Sequence, residues 1–178
     1  MRWIYLALFL VLFAAGCAPK MTDGTTGDLR KKLYYDANLA FSIAVPEDWE
    51  RKFISPPRQS PARYAVHWQG DIESRQSRLA EMNVALLAGA DRDAMLRTSL
   101  ADFAEAHPGF EVTVQNELDD QTDSPPDILG RSSSRQYRIV HIPAPGGSYR
   151  IDFSTPKDDF STYQPLFDLI LGSFQQLD

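Results

Sequence analysis

The sequence is poor in the residues that recurrent catalytic and metal-binding motifs require. It has a single cysteine, Cys17, which excludes a disulfide within the chain and a metal site built from several cysteines. No H-E-x-x-H motif and no Walker, Rossmann or G-x-S-x-G glycine pattern occurs. Basic residues are also few: 18 lysines and arginines stand against 24 aspartates and glutamates, a formal net charge of −6. This balance argues against a general nucleic-acid binder, because such domains are usually basic.

Internal repeats and extremes of composition are absent as well. The 178 residues are 43% hydrophobic and 24% charged, which is an ordinary balance for a globular protein. Extensive disorder and fibrous repeats are therefore excluded. The length predicts one folded domain with a short tail.

The N-terminus has the pattern of an export signal that ends in a lipidation site. Arg2 precedes a 13-residue apolar run, Trp3–Ala15, which as a helix is too short to cross a bilayer comfortably. The run closes with Ala-Ala-Gly-Cys17, which resembles a bacterial lipobox, although Ala14 occupies a position where leucine is usual. We predict a signal peptide over residues 1–16 and acylation of Cys17 by chains such as palmitate. The alternatives are an ordinary signal peptide cut near Ala15 and a buried free thiol.

The residues after Cys17 predict where the mature protein is held. Residues 17–28 are small and polar, which is typical of a flexible tether. Ala18 stands where, in the enterobacterial sorting rule, an aspartate would retain a lipoprotein in the inner membrane. We therefore expect a membrane-anchored protein of the cell envelope that faces the periplasm, on the outer membrane if the organism has one.

Alternating and helical periodicities predict a mixed fold. In Phe41–Val45 the apolar residues alternate with small ones, which indicates a strand with one buried face. Asp91 is a suitable N-cap for a helix to about Ala106, whose buried stripe would be Leu96, Leu100 and Phe103. Further strands are predicted at 33–35, 49–54, 63–68, around 82–86, and at 110–114.

The C-terminal third predicts a long hairpin and a last helix. Leu129–Ile142 and Ser148–Ser154 would pair, with alternate residues from Tyr149 facing the core and those from Arg150 facing solvent. Asp158 or Asp159 would cap the helix, whose apolar stripe runs from Phe160 to Phe174. Together these elements predict an α+β fold with an antiparallel sheet flanked by helices, an αβα sandwich.

Two segments together resemble a known superfamily. They are YYDANLAFSIAVPEDWE, residues 34–50, and YRIDFSTPKDDFSTYQPLFDLILGSF, residues 149–174. The pair is similar to the PsbP-like superfamily, which includes the PsbP subunit of photosystem II, a Ran-binding nuclear import factor and DcrB-like bacterial lipoproteins. The resemblance implies a PsbP-like domain over residues 29–178, with Trp49 and Phe174 in its core. It also implies a binding or accessory protein, because the superfamily has no shared active site.

Four arginines form the candidate binding patch. Arg131, Arg135, Arg138 and Arg150 fall on the predicted hairpin, where some of them would share a face. Guanidinium groups on one face suit a phosphate, an acidic partner surface, or the head groups of lipopolysaccharide or phospholipid. The alternative is a solvated face that Asp152 balances.

Metal binding has two weaker candidates. His67 and His141 lie on predicted strands and would have to meet across the sheet, while His107 is placed to cap a helix end. Five carboxylates occur close together and could collect Ca²⁺, or form a solvated loop, although their spacing is not that of an EF-hand. They are Glu117, Asp119, Asp120, Asp123 and Asp127. We predict no bound metal and no cofactor.

These observations favour a non-enzymatic, lipid-anchored envelope protein that acts through a protein partner, as an accessory or assembly factor. The alternative is a module that holds a small amphipathic ligand or lipid between sheet and helix, lined by some of the 3 tryptophans, 7 tyrosines and 10 phenylalanines. An enzyme with an unrecognised site is a third hypothesis. The oligomeric state stays open.

Overall fold

The computed structural model describes residues 30–54, 62–70, 80–89, 91–116 and 126–177. The predicted signal peptide, Cys17 and the tether lie outside the described residues, as do the carboxylates at 117, 119, 120 and 123. Within the described ranges, no helix combines the length and the apolar character that a membrane crossing needs.

The described residues form two antiparallel sheets and two α-helices, which confirms the predicted α+β class. The small sheet has the order β1-β2-β10, and the seven-stranded sheet has the order β3-β4-β5-β9-β8-β7-β6. Helix α1 spans Arg92–Ala106, and α2 spans Phe160–Leu171 after a one-turn 3-10 helix, Lys157–Asp159. The strands are β1 Lys31–Asp36, β2 Phe41–Pro46, β3 Glu50–Ile54, β4 Ala62–Gln69, β5 Glu81–Ala88, β6 Glu111–Asn116, β7 Asp127–Arg131, β8 Arg135–Ala144, β9 Gly147–Pro156 and β10 Gln175–Gln176.

One face of the seven-stranded sheet, which we call the α2 face, is covered by α2 and the small sheet. The rings of Phe153 on β9 and Phe167 on α2 stack with centroids 4.5 Å apart. Tyr34 of β1 packs edge-on against Trp68 of β4, with centroids 5.2 Å apart. Predicted core residue Trp49 is buried in the same cluster, and Phe174 packs against it. This apolar layer is the main core of the domain.

The opposite face, which we call the α1 face, carries a second and smaller core. Phe103 of α1 packs edge-on against Tyr137 of β8, with centroids 5.4 Å apart, in a cluster with Ile128 and Ile139. Because both faces are covered near the middle of the sheet, Asp152 and Ser154 are buried, with exposed fractions of 4% and 7%. The prediction that these two side chains face solvent is therefore wrong.

The predicted strand over residues 129–142 is two strands. A turn at Ser132–Ser134 separates β7 from β8, and the two strands pair antiparallel. The amide of Ser132 donates to the carbonyl of Arg135, and Ser132 Oγ accepts from the Arg135 amide. Three consecutive serines favour a turn because their hydroxyls compete for backbone hydrogen bonds.

The two helices differ from prediction in how they are oriented and capped. Asp91 caps α1 as predicted, since its Oδ1 accepts from the Ala94 amide at 3.0 Å. The fully buried residues of α1 are Met95, Ser99 and Phe103. Phe103 agrees with the prediction, whereas Met95 and Ser99 each precede a predicted leucine by one residue. Asp159 stands at the N-cap of α2 but makes no side-chain capping bond, and the preceding 3-10 turn takes that place.

We predict that Gly147→Ala destabilises the fold strongly. An added Cβ at Gly147 lies 2.0 Å from the backbone oxygen of Leu87 on β5, so the central strands must separate. Overpacking of this kind costs about 1–3 kcal/mol or more. Gly89→Ala is the matched control, because its Cβ meets only Met95 side-chain atoms at 3.6 Å or beyond. Urea unfolding checks the pair, and equal stability of the two variants would contradict this packing.

Candidate functional site

A chain of polar side chains crosses the α1 face of the sheet. His67 Nδ1 on β4 lies 2.8 Å from Asn83 Oδ1 on β5. Asn83 Nδ2 donates to Asp152 Oδ1 on β9 at 2.6 Å, and Arg150 Nε donates to Asp152 Oδ2 at 3.2 Å. The register of β4, β5 and β9 places His67, Asn83 and Asp152 side by side. These four residues, with the Ser99 and His141 pair beyond Arg150, are called the polar chain below.

The far end of the polar chain is a serine–histidine pair. Ser99 Oγ on α1 lies 3.3 Å from His141 Nε2 on β8, and Arg150 donates to the same hydroxyl at 3.1 Å. Such a pair is the nucleophile and base of many hydrolases. Here Ser99 has an exposed fraction of 0% and His141 of 1%, so no substrate carbonyl reaches the hydroxyl. The pair therefore fastens α1 to the sheet.

The position of Ser99 was missed by the sequence reasoning. A helix stripe drawn through Leu96 and Leu100 turns Ser99 away from the sheet, whereas the structure turns it inward. Three predicted strands each carry a polar residue within an alternating pattern: Asn83, His141 and Asp152. Such residues indicate a polar sheet face whose side chains need hydrogen-bond partners when it is covered.

The histidines do not form a metal site. Strands β5 and β9 lie between His67 on β4 and His141 on β8, so roughly 14 Å of sheet separates their strands. The suggestion that they meet across the sheet is wrong. His107 caps α1 as predicted: its Nδ1 lies 2.9 Å from the carbonyl oxygen of Phe103. Among the described residues, no group of three or more potential ligands is placed to hold a metal ion.

Two of the four candidate arginines lie on the α1 face, and each has an acidic neighbour there. Arg135 on β8 is 3.5 Å from Glu81 and donates to Ser154 Oγ at 2.8 Å. Arg150 is held by Asp152 and Ser99, and its guanidinium lies 5.5 Å from the ring centre of Phe103. Both guanidinium groups are committed to contacts within the domain.

The other two arginines lie on the α2 side of the sheet. Arg138 binds Asp127 of β7 at 2.7 Å and also contacts Asp168 of α2. Burial opposes its charge, but the hydrogen bonds that Arg138 donates to both aspartates, and their negative charge, raise its pKa overall. Arg131 forms an exposed pair with Glu111 at 3.7 Å. The structure thus divides the four arginines between two faces, and anion binding by any of them stays a prediction.

Arg138 also accounts for one of the predicted loop carboxylates. Asp127 begins β7 and accepts from both Nε and Nη2 of Arg138, at 3.0 and 2.7 Å through Oδ2. A carboxylate held in this way is a structural partner that ties β7 and β8 to α2, and its assignment to an acidic loop is wrong.

A cluster of two exposed side chains, Arg51 and Phe53, and half-buried Tyr34 lies where β1 meets β3. The Arg51 guanidinium carbon is 4.7 Å from the ring centres of both Tyr34 and Phe53. Phe53 is 70% exposed on β3, which is an edge strand of the seven-stranded sheet as described. Tyr34 donates its hydroxyl to Asp36 Oδ2 at 2.8 Å. We call Tyr34, Arg51 and Phe53 the arginine–aromatic cluster.

This cluster presents the residue types that dominate protein-binding hot spots. Aromatic residues and arginine are enriched there, because they bury large area with little loss of side-chain freedom. The sequence predicted the strand that carries Phe53 but gave no signal for the cluster, since its members come from different sheets.

The space between the sheet and α2 is filled by stacked aromatic rings, so the aromatic residues line a core there. A surface cavity of about 310 Å³ opens instead between the first turn of α1 and the β8–β9 hairpin. Met95, Pro143 and small hairpin residues line this cavity, and no aromatic side chain does. Among the described residues, this cavity is not the predicted aromatic-lined pocket between sheet and helix, and the amphipathic-ligand alternative stays a prediction.

Comparison with solved structures identifies the fold. The solution structure of cyanobacterial PsbP (CyanoP) from Synechocystis sp. PCC 6803 superposes with a TM-score of 0.63 at 18% identity, covering 86% of this chain and 96% of that one. The Saccharomyces cerevisiae Ran-binding protein Mog1p superposes with a TM-score of 0.56 at 11% identity, covering 85% and 97%. No protein-family model and no curated protein sequence matches the chain. The likeness confirms a PsbP-like fold, as the sequence resemblance implied.

We predict that Asp152→Ala costs about 3 kcal/mol of unfolding free energy. It removes the carboxylate that pairs with half-buried Arg150 and with Asn83, leaving both donors without that partner. Glu111→Ala removes the carboxylate of the exposed Arg131 pair and is the matched control, with an expected change within about 0.5 kcal/mol. Chemical denaturation measures both, and comparable losses would contradict a structural role for the polar chain.

We predict that the contribution of the Tyr34 hydroxyl to stability disappears at high pH. Burial, and then the hydrogen bond and charge of Asp36, raise the pKa of Tyr34 to about 12, although Arg51 lowers it. The unfolded chain titrates near 10, so between about pH 10 and 12 the folded state binds more protons and loses stability as pH rises. At pH 8 the unfolding free energy of wild type should exceed that of Tyr34→Phe by about 1 kcal/mol, and this difference should disappear by pH 12. Chemical denaturation at a series of pH values measures this difference. A difference that stays constant from pH 8 to pH 12 would contradict the raised pKa of Tyr34.

Proposed function

We propose that this chain is a lipid-anchored accessory protein of the cell envelope, which binds a protein partner and catalyses no reaction. The observation that carries the proposal is the arginine–aromatic cluster, whose exposed Phe53 and Arg51 lie on an edge strand of the seven-stranded sheet as described.

The membrane anchor in this proposal comes from the sequence. The apolar run Trp3–Ala15 and the single cysteine at position 17 match a lipoprotein signal, and Ala18 favours the outer membrane over the inner. Two or three acyl chains on Cys17 hold a protein on a membrane, because each buried methylene contributes about 0.8 kcal/mol. The folded domain then faces the periplasm.

Protein binding is supported by the chemistry of the arginine–aromatic cluster. Phe53 projects from an edge strand, and Arg51 is held between two rings, so both are pre-organised for contact. Pre-organised side chains lose less conformational freedom on binding. The fold is also that of Mog1p, whose name describes a Ran-binding protein. That likeness supports protein binding as a use of the fold, but it does not identify a partner for this chain.

The polar chain supports a role without catalysis. Its serine–histidine pair is enclosed between α1 and the sheet, where it stabilises the packing of a helix. Catalysis requires the nucleophile, the base and the reacting atom to meet within hydrogen-bonding distance. A buried pair that Arg150 already contacts does not provide such a meeting point.

The test is affinity purification of the tagged full chain from detergent-solubilised membranes of its native host. We expect a stoichiometric protein partner with wild type and a loss of about tenfold or more with Phe53→Ala, as for a hot-spot residue. Val114→Ala is the matched control: Val114 is also an exposed apolar residue on an edge strand, β6, at the opposite side of the sheet. The control should retain the partner.

Intact mass of the same preparation tests the anchor. A mature chain that begins at Cys17 with added acyl mass, and that is absent from a Cys17→Ser variant, is the expected result. Repeated purification without a stoichiometric partner, or equal recovery with Phe53→Ala and Val114→Ala, would contradict protein binding through the cluster. A mature chain without acyl mass would contradict the lipid anchor alone.

A further inference from the structure

The outward face of β1 carries a short basic and apolar stripe. Side chains alternate along a strand, so Lys31, Leu33 and Tyr35 share the face that points away from the core, while Tyr34 points inward. Leu33 is 53% exposed and Tyr35 is 61% exposed. We call Lys31, Leu33 and Tyr35 the β1 stripe.

The neighbouring strand leaves the β1 stripe uncovered. Leu33 pairs with Ala44 of β2, and Tyr35 pairs with Ser42, so the residues beside them are small. β1 is also an edge strand of the small sheet as described. A leucine and a tyrosine side by side on an edge strand are a surface that proteins ordinarily cover or use.

The charge of the β1 stripe is opposite to that of the whole chain. Arg30 and Lys31 are exposed at its start, whereas the chain has a formal net charge of −6. The acidic residue of this strand, Asp36, is buried, and its oxygens accept bonds from Tyr34 and from backbone amides. The stripe and Arg30 therefore present basic and apolar side chains on an acidic protein, with exposed Glu47 beside Arg30 on the neighbouring turn.

The position of the β1 stripe in the chain brings it close to the proposed anchor. Arg30 follows Cys17 by only 13 residues, a length of chain that reaches at most about 47 Å. This step rests on the proposed lipid at Cys17. The stripe is then the part of the described domain that lies nearest to the anchor along the chain.

We propose that the β1 stripe lies against a bilayer of anionic phospholipids and orients the domain on the membrane. Leu33 enters the boundary between head groups and acyl chains. Tyr35 places its ring at the head-group level with its hydroxyl in water, the location that tyrosine favours in membranes. Lys31 and Arg30 attract the phosphates of the anionic head groups. The lipid supplies the attachment, and the stripe selects which face of the domain meets the membrane.

The experiment measures amide hydrogen exchange of the mature protein on vesicles. Protein purified from native membranes is incorporated into phosphatidylcholine vesicles, with or without phosphatidylglycerol. We expect exchange in β1 to slow about tenfold when phosphatidylglycerol is present, because two basic residues favour the anionic surface. The double variant Leu33→Ser with Tyr35→Ser should lose this protection. The matched control, Val112→Ser with Val114→Ser on β6, should keep it.

Three results would overturn the proposal. They are equal protection of β1 on neutral and anionic vesicles, protection that survives the Leu33 and Tyr35 substitutions, and protection that depends on protein concentration without vesicles. The last result would show that a second copy of the chain covers the stripe. If intact mass shows no acyl chain, flotation of the same protein with anionic vesicles tests the stripe separately from the anchor. In that case, flotation that requires Leu33 and Tyr35 supports the proposal, and the absence of flotation overturns it.

Discussion

The double burial of β5 and β9 is the constraint on which the rest of the domain depends. These strands lie near the middle of a seven-stranded sheet, with α2 and the small sheet on one face and α1 on the other. Any polar group placed there must find a partner, because an unpaired buried group costs about 1–3 kcal/mol. Asp152 has two such partners, Asn83 and Arg150. Arg150 in turn donates to Ser99 on α1, and Asn83 contacts His67 on β4.

The two faces of the sheet are covered through different kinds of contact. The α2 face is closed by apolar contacts, of which the stacked Phe153 and Phe167 rings are the centre. The α1 face combines the smaller Phe103 cluster with the polar chain. Apolar packing tolerates small shifts, whereas directed hydrogen bonds fix the position and rotation of the helix. In this arrangement α1 buries Ser99 fully against the polar chain, while Leu100 packs partly buried against the Phe103 cluster.

Strand positions followed from local pattern, but burial on the second face did not. Alternation placed β2 and β4 correctly, since one apolar face is enough to show a strand. The same alternation assigned Asp152 to solvent, because a helix that covers the polar face comes from a distant part of the chain. The resemblance of residues 34–50 and 149–174 to PsbP-like proteins supplied the fold, which local pattern alone does not determine. Neither the local pattern nor the resemblance predicted the arginine–aromatic cluster, because Tyr34 and Arg51 meet only when the two sheets pack.

The placement of the arginines decides where the domain can meet other molecules. On the sequence, four arginines suggested a cationic patch, yet Arg138 joins β8 to Asp127 and Asp168, and Arg150 holds the polar chain. A guanidinium that already satisfies a carboxylate gains little from a second anion, since it must first give up a bond in a region of low dielectric constant. Side chains that project from edge strands have no such commitment: Phe53 on β3, and Leu33 and Tyr35 on β1, keep most of their area in water. The strands that carry these side chains, β1 and β3, are edge strands of the two sheets and meet through the contact between Tyr34 and Arg51. The exposed apolar side chains that the proposed contacts would use therefore lie on edge strands, whereas the buried polar groups of the central strands stabilise the fold.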